Sequence, residues 1–177
     1  MQTNVLEYLE HIEKKVPHKT AYANDTTQIT FHEVAAYSRS IGTHLYQEGH
    51  TKEPIVVFMG RHPGTIVAYY GVVSSGCYYV PIDEEMPRHR IELIFKSLNP
   101  RAVICDKETR ISLQSYDYKG RVYQYEDMIQ TRVDEASLNK VRENQLDIDP
   151  LYIVFTSVSS GVPKGVVACH RSVIDYI

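Results

Sequence analysis

The sequence lacks the features that mark several large classes of protein. Its 177 residues include no tryptophan and only three cysteines, Cys77, Cys105 and Cys169. No two of these cysteines form a Cys-x-x-Cys pair, so the sequence predicts neither a disulfide framework nor a cysteine-based zinc site. A total of 19 basic residues against 22 acidic residues gives a net charge of −3, which argues against a nucleic-acid partner or an anionic membrane surface.

Long apolar runs are also missing. Nowhere do about 18 apolar residues follow one another, the length that a membrane-spanning helix needs. Met1 is followed by polar and acidic residues rather than by the basic start and apolar run of a signal peptide. Together with the reduced cysteines, these absences predict a cytoplasmic protein with no membrane partner.

The sequence does contain a regular alternation of short apolar runs and helix-like segments. The segments that carry this pattern are Pro54–Met59, Pro63–Ser75, Cys77–Ile82, Pro87–Leu98, Ala102–Cys105 and Leu151–Phe155. The short runs are apolar on both faces, which is typical of parallel strands that are covered on two sides. The sequence therefore predicts an α/β fold, in which a layered, mostly parallel sheet is flanked by helices.

Two further helices are predicted ahead of this region. Residues 4–16 place apolar side chains on one helical face. Thr30 and Glu33 have the spacing of a capping box, in which each side chain accepts a hydrogen bond from the other residue's backbone N–H, and the helix behind them should end at Gly49. Residues 106–149 are more polar and are expected to form a connecting and decorating segment within one domain that spans residues 1–177.

The segment after the last apolar run carries the side chains best suited to chemistry. It contains the hydroxyl groups of Thr156, Ser157, Ser159 and Ser160, followed by Gly161 and Lys164. Hydroxyls and backbone N–H groups can surround phosphate oxygens, glycine permits close approach, and lysine supplies a countercharge. Composition alone fits a plain surface loop as well, and the sequence contains neither Gly-x-Gly-x-x-Gly nor the P-loop pattern.

The order of residues in this loop resembles the phosphate loop of the adenylate-forming enzymes, which include acyl-CoA synthetases, luciferases and the amino-acid-activating domains of nonribosomal peptide synthetases. That family reads Thr-Ser-Gly-Ser-Thr-Gly-x-Pro-Lys-Gly-Val where this chain has residues 156–166. Residues 75–83, followed by Pro87 and Arg90, resemble a second motif, in the form typical of the amino-acid-activating branch with its D-alanine–carrier-protein ligases. Residues 29–34 resemble the Leu-Thr-Tyr-x-Glu-Leu opening of the same branch.

The resemblance implies an ATP-dependent ligase that uses Mg²⁺. A carboxylate, such as an amino acid, would attack the α-phosphate of ATP, and the acyl group would then pass to the phosphopantetheine thiol of a carrier protein. Thr156, Ser157, Ser159 and Ser160 would donate hydrogen bonds to the phosphates, Gly161 would allow close approach, and Lys164 would contribute charge. No catalytic residue and no metal ligand is expected within these 177 residues.

The resemblance also implies that this chain is the N-terminal portion of a longer adenylation domain. The family's remaining nucleotide and acyl contacts lie beyond the phosphate loop, so the chain alone is expected to be inactive and to need the rest of its own domain as a partner. The alternative is a noncatalytic interaction domain that keeps the fold.

Val158 stands where the family has glycine. If that position needs a positive φ, valine strains the loop by about 1–2 kcal/mol; if the position lies in the β region, valine only stiffens it. His170 matches a family histidine, but a lone histidine beside a strand end is expected to be a packing or capping residue.

Overall fold

A computed structural model describes residues 2–156 and 163–177. The helices are α1 (Leu6–Lys15), α2 (Phe31–Gln47), α3 (Pro63–Ser74), α4 (Arg88–Leu98), α5 (Thr109–Leu113), α6 (Tyr125–Met128), α7 (Glu135–Glu143) and α8 (His170–Ile174). The strands are β1 (Thr20–Ala23), β2 (Gln28–Thr30), β3 (Pro54–Phe58), β4 (Tyr78–Ile82), β5 (Ala102–Cys105), β6 (Arg121–Gln124), β7 (Pro150–Thr156) and β8 (Lys164–Cys169). None of the helices in these ranges combines the length and the hydropathy needed to cross a bilayer.

The strands β3 to β8 form one sheet, and β1 pairs with β2 in a separate hairpin. The order across the large sheet is β6-β5-β3-β4-β7-β8. All neighbouring strands run parallel except β7 and β8, which are antiparallel. The central register places Val56 of β3 between Val80 of β4 and Val103 of β5. The predicted α/β fold with a mostly parallel sheet is therefore confirmed.

Successive residues of the central strand β3 supply opposite layers of the core. Ile55 and Val57 belong to the cluster beneath α2 and α3, whereas Val56 and Phe58 belong to the cluster beneath α4 and α5. This follows from the period of two along a strand, because neighbouring side chains point to opposite faces. Both faces of β3 and β5 are consequently buried, which is why these segments are apolar without interruption.

Helices α2 and α3 approach each other closely at two glycines. A Cβ atom at Gly42 would lie 2.7 Å from the Cβ of Ser74, and a Cβ atom at Gly71 would overlap the side chain of Ile41. Ile41 has no exposed surface, so it has no room to move away. The absence of a side chain at each of these two glycines thus sets the distance between α2 and α3.

Residues 106–149 contribute more to the core than the sequence predicts. Within this polar segment, β6 extends the sheet by pairing in parallel with β5. Tyr125 and Met128 of α6 belong to the core cluster beneath α2, and Met128 has no exposed surface. The sequence predicts a short extended run at residues 121–125, but it does not reveal the pairing with β5, because an edge strand can be partly polar and exposed. The single domain over residues 1–177 stays a prediction.

The predicted capping box at the start of α2 is confirmed. The Thr30 hydroxyl accepts a hydrogen bond from the Glu33 N–H at 3.2 Å, and the Glu33 carboxylate accepts one from the Thr30 N–H at 2.8 Å. The hydrogen bonds from the Thr30 backbone and hydroxyl hold the pKa of Glu33 below its ordinary value. At the other end of α2, Gly49 has a φ of +79°, which fits the predicted C-terminal stop.

Replacing Thr30 with alanine should lower the free energy of unfolding by about 1 kcal/mol, because the α2 N-terminus loses its side-chain acceptor. Urea denaturation at constant pH measures this difference. Thr51→Ala is the matched control, since Thr51 is exposed and its hydroxyl forms no hydrogen bond with a described residue. Equal unfolding midpoints for the two variants would contradict the stabilising role of the cap.

Candidate functional site

The candidate site lies at the edge of the sheet where β3, β4 and β7 end. These strands are parallel through β4, so their carboxyl ends share that edge. The chain moves from β3 to β4 in one direction across the sheet and then returns past β3 to β5. Such a reversal opens a crevice beside the carboxyl ends of the strands, where α/β proteins bind ligands. The phosphate loop predicted from the sequence leaves β7 at this same edge.

The two ends of the predicted phosphate loop are brought together by strand pairing. Thr156, the last residue of β7, is the register partner of Lys164, the first residue of β8. The Thr156 hydroxyl donates to the Lys164 carbonyl at 3.4 Å, and both side chains are exposed. The structure therefore places an ammonium group and a hydroxyl at the mouth of the loop. Their contact with phosphate stays a prediction.

The remaining predicted phosphate contacts cannot be placed. Ser157, Ser159, Ser160 and Gly161 lie outside the described residues, as does Val158. Their roles, and the two alternatives for Val158, also stay predictions.

Gly165 allows the two strands of the hairpin to pack closely. A Cβ atom on Gly165 would lie 2.9 Å from Cγ2 of Ile153 and 3.4 Å from the ring of Phe155. Ile153 and Phe155 pack against the core cluster beneath α4. Two apolar side chains of β7 thus join the hairpin that carries the loop to that layer. They also fill the space that a side chain at position 165 would need.

An arginine from α4 reaches the end of β7. The Arg90 Nη2 donates to the carbonyl oxygen of Phe155 at 2.8 Å. The Arg90 Nε is buried and forms no hydrogen bond with any residue in the described ranges. Arg90 belongs to a motif that the sequence singles out, but no local pattern predicts its contact with a residue 65 positions away.

The carboxyl ends of β3 and β4 line a cavity of about 440 Å³, and the residues near its opening form ion pairs. Arg61 donates through Nε to a carboxylate oxygen of Asp83 at 3.0 Å. The His62 Nε2 lies 2.9 Å from a carboxylate oxygen of Asp106. Sequence reasoning does not single out Arg61, His62 or Asp106; their position directly after a buried strand is the signal that could find them.

Hydrogen bonding fixes the proton on His62. Its Nδ1 accepts from the Gly64 N–H at 3.1 Å at the start of α3, so Nε2 carries the proton and donates it to Asp106. Burial acts to raise the pKa of Asp106, but hydrogen bonds from Thr109 and His62 outweigh it and hold that pKa below its ordinary value. The two nitrogens of His62 therefore connect the start of α3 to Asp106, the residue that follows β5.

Comparison with known sequences decides the family. The sequence model of a family described as AMP-binding enzyme matches residues 9–177. The chain belongs to the AMP-binding enzyme family. The family match covers every predicted phosphate-loop residue, including those outside the described ranges.

Similar proteins include carrier-protein ligases and peptide synthetases. The D-alanine–D-alanyl carrier protein ligase of Listeria welshimeri is 30% identical over 183 aligned positions, which cover 99% of this chain and 35% of that protein. One of the mycosubtilin synthase proteins of Bacillus subtilis is 28% identical, over 98% of this chain and 6% of that protein. This AMP-binding chain therefore spans about a third of the length of the first of these relatives.

A solved nonribosomal peptide synthetase, FmoA3, has a similar fold. The two structures superpose with a TM-score of 0.83 at 25% identity, over 98% of this chain and 18% of that one. Another structure of FmoA3, with the same score and identity, holds bound α-methyl-L-serine-AMP. The fold of this AMP-binding chain thus matches one part of a much larger synthetase.

His170 of this AMP-binding chain lies away from the phosphate loop. It follows the carboxyl end of β8, whereas the loop joins the amino end of that strand. The His170 side chain is 1% exposed, and its Nδ1 accepts a hydrogen bond from the Val5 N–H at 3.2 Å. Burial lowers the pKa of His170 to about 4, and the positive charge of Arg142 acts in the same direction. His170 is therefore a neutral residue that caps the start of α1, which agrees with the structural role predicted for it.

His170 should make the protein less stable in mild acid. Because its pKa is lowered on folding, the unfolded chain takes up a proton at His170 that the folded chain does not, so stability falls as the pH drops from about 6.5 towards 4. Unfolding free energies measured by urea denaturation across this range should be less pH-dependent in His170→Asn, by up to about 1.4 kcal/mol per pH unit.

Asparagine keeps an acceptor for the Val5 N–H but does not titrate in this range. His89→Asn is the control, because His89 is exposed and should leave the pH dependence as it is in the parent chain. An unchanged slope in His170→Asn would show that His170 is accessible to protons in the folded state.

Proposed function

We propose that the protein containing this chain is an ATP-dependent ligase that adenylates an amino acid and transfers it to a carrier protein. The observation that carries the proposal is the hairpin of β7 and β8, which presents Thr156 and Lys164 at the carboxyl edge of a parallel sheet in a chain of the AMP-binding enzyme family. The names of the similar ligase and synthetase proteins support the amino-acid and carrier-protein parts.

The proposed reaction has two steps. In the first, a carboxylate oxygen of the amino acid attacks the α-phosphorus of ATP, the bond to the β-phosphate breaks, and pyrophosphate leaves. In the second, the thiol sulfur of a phosphopantetheinyl carrier attacks the acyl carbon, the thiol proton is lost, and AMP leaves as the thioester forms. Thr156 and Lys164 would act in the first step by binding the β- and γ-phosphates, which orients and stabilises the leaving pyrophosphate.

Mg²⁺ is the cofactor expected for this reaction, and such a cation is usually held by one or two carboxylates together with substrate phosphates. Within residues 2–156 and 163–177, no group of three or more His, Cys, Asp or Glu side chains is placed to hold a metal ion. No step is therefore assigned to a metal bound by this chain. The remainder of the adenylation domain is proposed as a partner that supplies further contacts, and a cytoplasmic location stays a prediction.

Amino-acid-dependent exchange of labelled pyrophosphate into ATP, measured with the full-length protein, tests the first step. We expect exchange with at least one amino acid from a panel that includes D-alanine. Lys164→Ala should lower kcat/KM for ATP by about 10- to 100-fold, the effect of losing one charge-assisted hydrogen bond.

Lys119→Ala is the matched control, because Lys119 is an exposed lysine just before β6, at the opposite edge of the sheet. Kinetics for ATP should be unchanged in this variant. Absence of exchange with every amino acid and other carboxylate tried would overturn the enzyme proposal and favour a noncatalytic interaction domain.

A further inference from the structure

We propose that Arg90 is a positioning residue for the phosphate loop, which it holds in place through the backbone at the end of β7. The inference rests on the proposed function, because it assumes that the loop after Thr156 binds ATP. Its support comes from the pairing of β7, the burial of the Arg90 Nε and the position of the carbonyl that Arg90 contacts.

The end of β7 packs against β4 through its side chains but has few backbone register pairs with that strand. The ladder between β3 and β4 contains five register pairs, from Pro54 with Tyr78 to Phe58 with Ile82. The ladder between β4 and β7 contains a single pair, Tyr79 with Tyr152. Beyond Tyr152, the described partner of β7 is β8 alone, and β8 is the outer strand of the sheet. Backbone pairing with a second strand therefore does not fix the carbonyl groups of the last residues before the loop.

Arg90 supplies such a contact. Its Nη2 donates to the Phe155 carbonyl at 2.8 Å, immediately before the first predicted phosphate-binding residue, Thr156. Because a charged donor strengthens a hydrogen bond, this one resists displacement better than an ordinary backbone pair. The guanidinium thus fixes the peptide from which the loop departs.

Arg90 is itself held by a rigid helix. The next residue, Ile91, has no exposed surface, and Ile94 is 1% exposed; both pack in the cluster that contains Val80 and Ile82 of β4. The Arg90 Nε is buried as well. The contact therefore connects the loop to the layer beneath β4, and a shift of about 1 Å in a group that orients a reacting phosphate can lower the rate substantially.

Kinetics of the full-length protein separate this role from a general effect on folding. In ATP–pyrophosphate exchange, Arg90→Met should raise the KM for ATP about tenfold, which corresponds to the loss of one charge-assisted hydrogen bond, with the KM for the amino acid unchanged. Arg90→Lys retains a cationic donor and should show a smaller rise. Thermal unfolding of each variant identifies those that are folded at the assay temperature.

Arg88→Met is the matched control on the same helix. Arg88 is exposed and contacts Glu92 and Ser115 rather than β7, so both KM values should equal those of the wild-type protein. A folded Arg90→Met variant that keeps the wild-type KM for ATP would overturn the inference, as would an Arg90→Lys variant whose KM for ATP rises more than that of Arg90→Met. So would an equal rise in both KM values. A wild-type protein without exchange would instead overturn the proposed function, which distinguishes the two failures.

Discussion

The close contact between α2 and α3 is the constraint on which much of the fold depends. Gly42 and Gly71 let the helix backbones approach, and Ile41 fills the space that a side chain at 71 would need. Helix α3 connects the end of β3 to the start of β4, so its packing on α2 fixes the path of the chain between those two strands. His62 caps the start of α3 directly after β3. The packing of α2 and α3 on one face of the sheet therefore also helps to position His62 at the carboxyl edge.

The two halves of the sheet differ in the number of their backbone register pairs and in their exposure. The half that contains β3, β4 and β5 is buried on both faces and has long, regular ladders. The half that contains β7 and β8 has one register pair to β4, and β8 is mostly exposed. The residues proposed to bind phosphate belong to this half, which has fewer backbone register pairs with the centre of the sheet. Contacts such as that of Arg90 with Phe155 therefore matter more here than they would between central strands.

Local patterns were enough to predict the central strands and the composition of the candidate site. The uninterrupted apolar runs of β3 and β5 reflect burial on two faces, and the hydroxyls, glycine and lysine between Thr156 and Lys164 point to phosphate. The sequence does show a short extended run at residues 121–125, but the pairing of β6 with β5 and the burial of Met128 could not be predicted in this way, because local sequence does not identify the partner of an edge strand. The contact of Arg90 with Phe155 likewise joins residues that are distant in sequence, and only the fold brings them together.

The topology of the loop also explains its composition. In a P-loop, the glycine-rich turn leads into a helix, whose N-terminal N–H groups and dipole help to bind phosphate. Here the chain leaves β7 and returns as the antiparallel strand β8, so no helix N-terminus directly follows the loop at this edge. In the function proposed above, the positive charge would then come from a side chain, Lys164, and part of the hydrogen bonding from hydroxyls such as that of Thr156. On this proposal, the side chains of the loop supply what a helix N-terminus supplies in a P-loop, and Arg90 holds the backbone just before them.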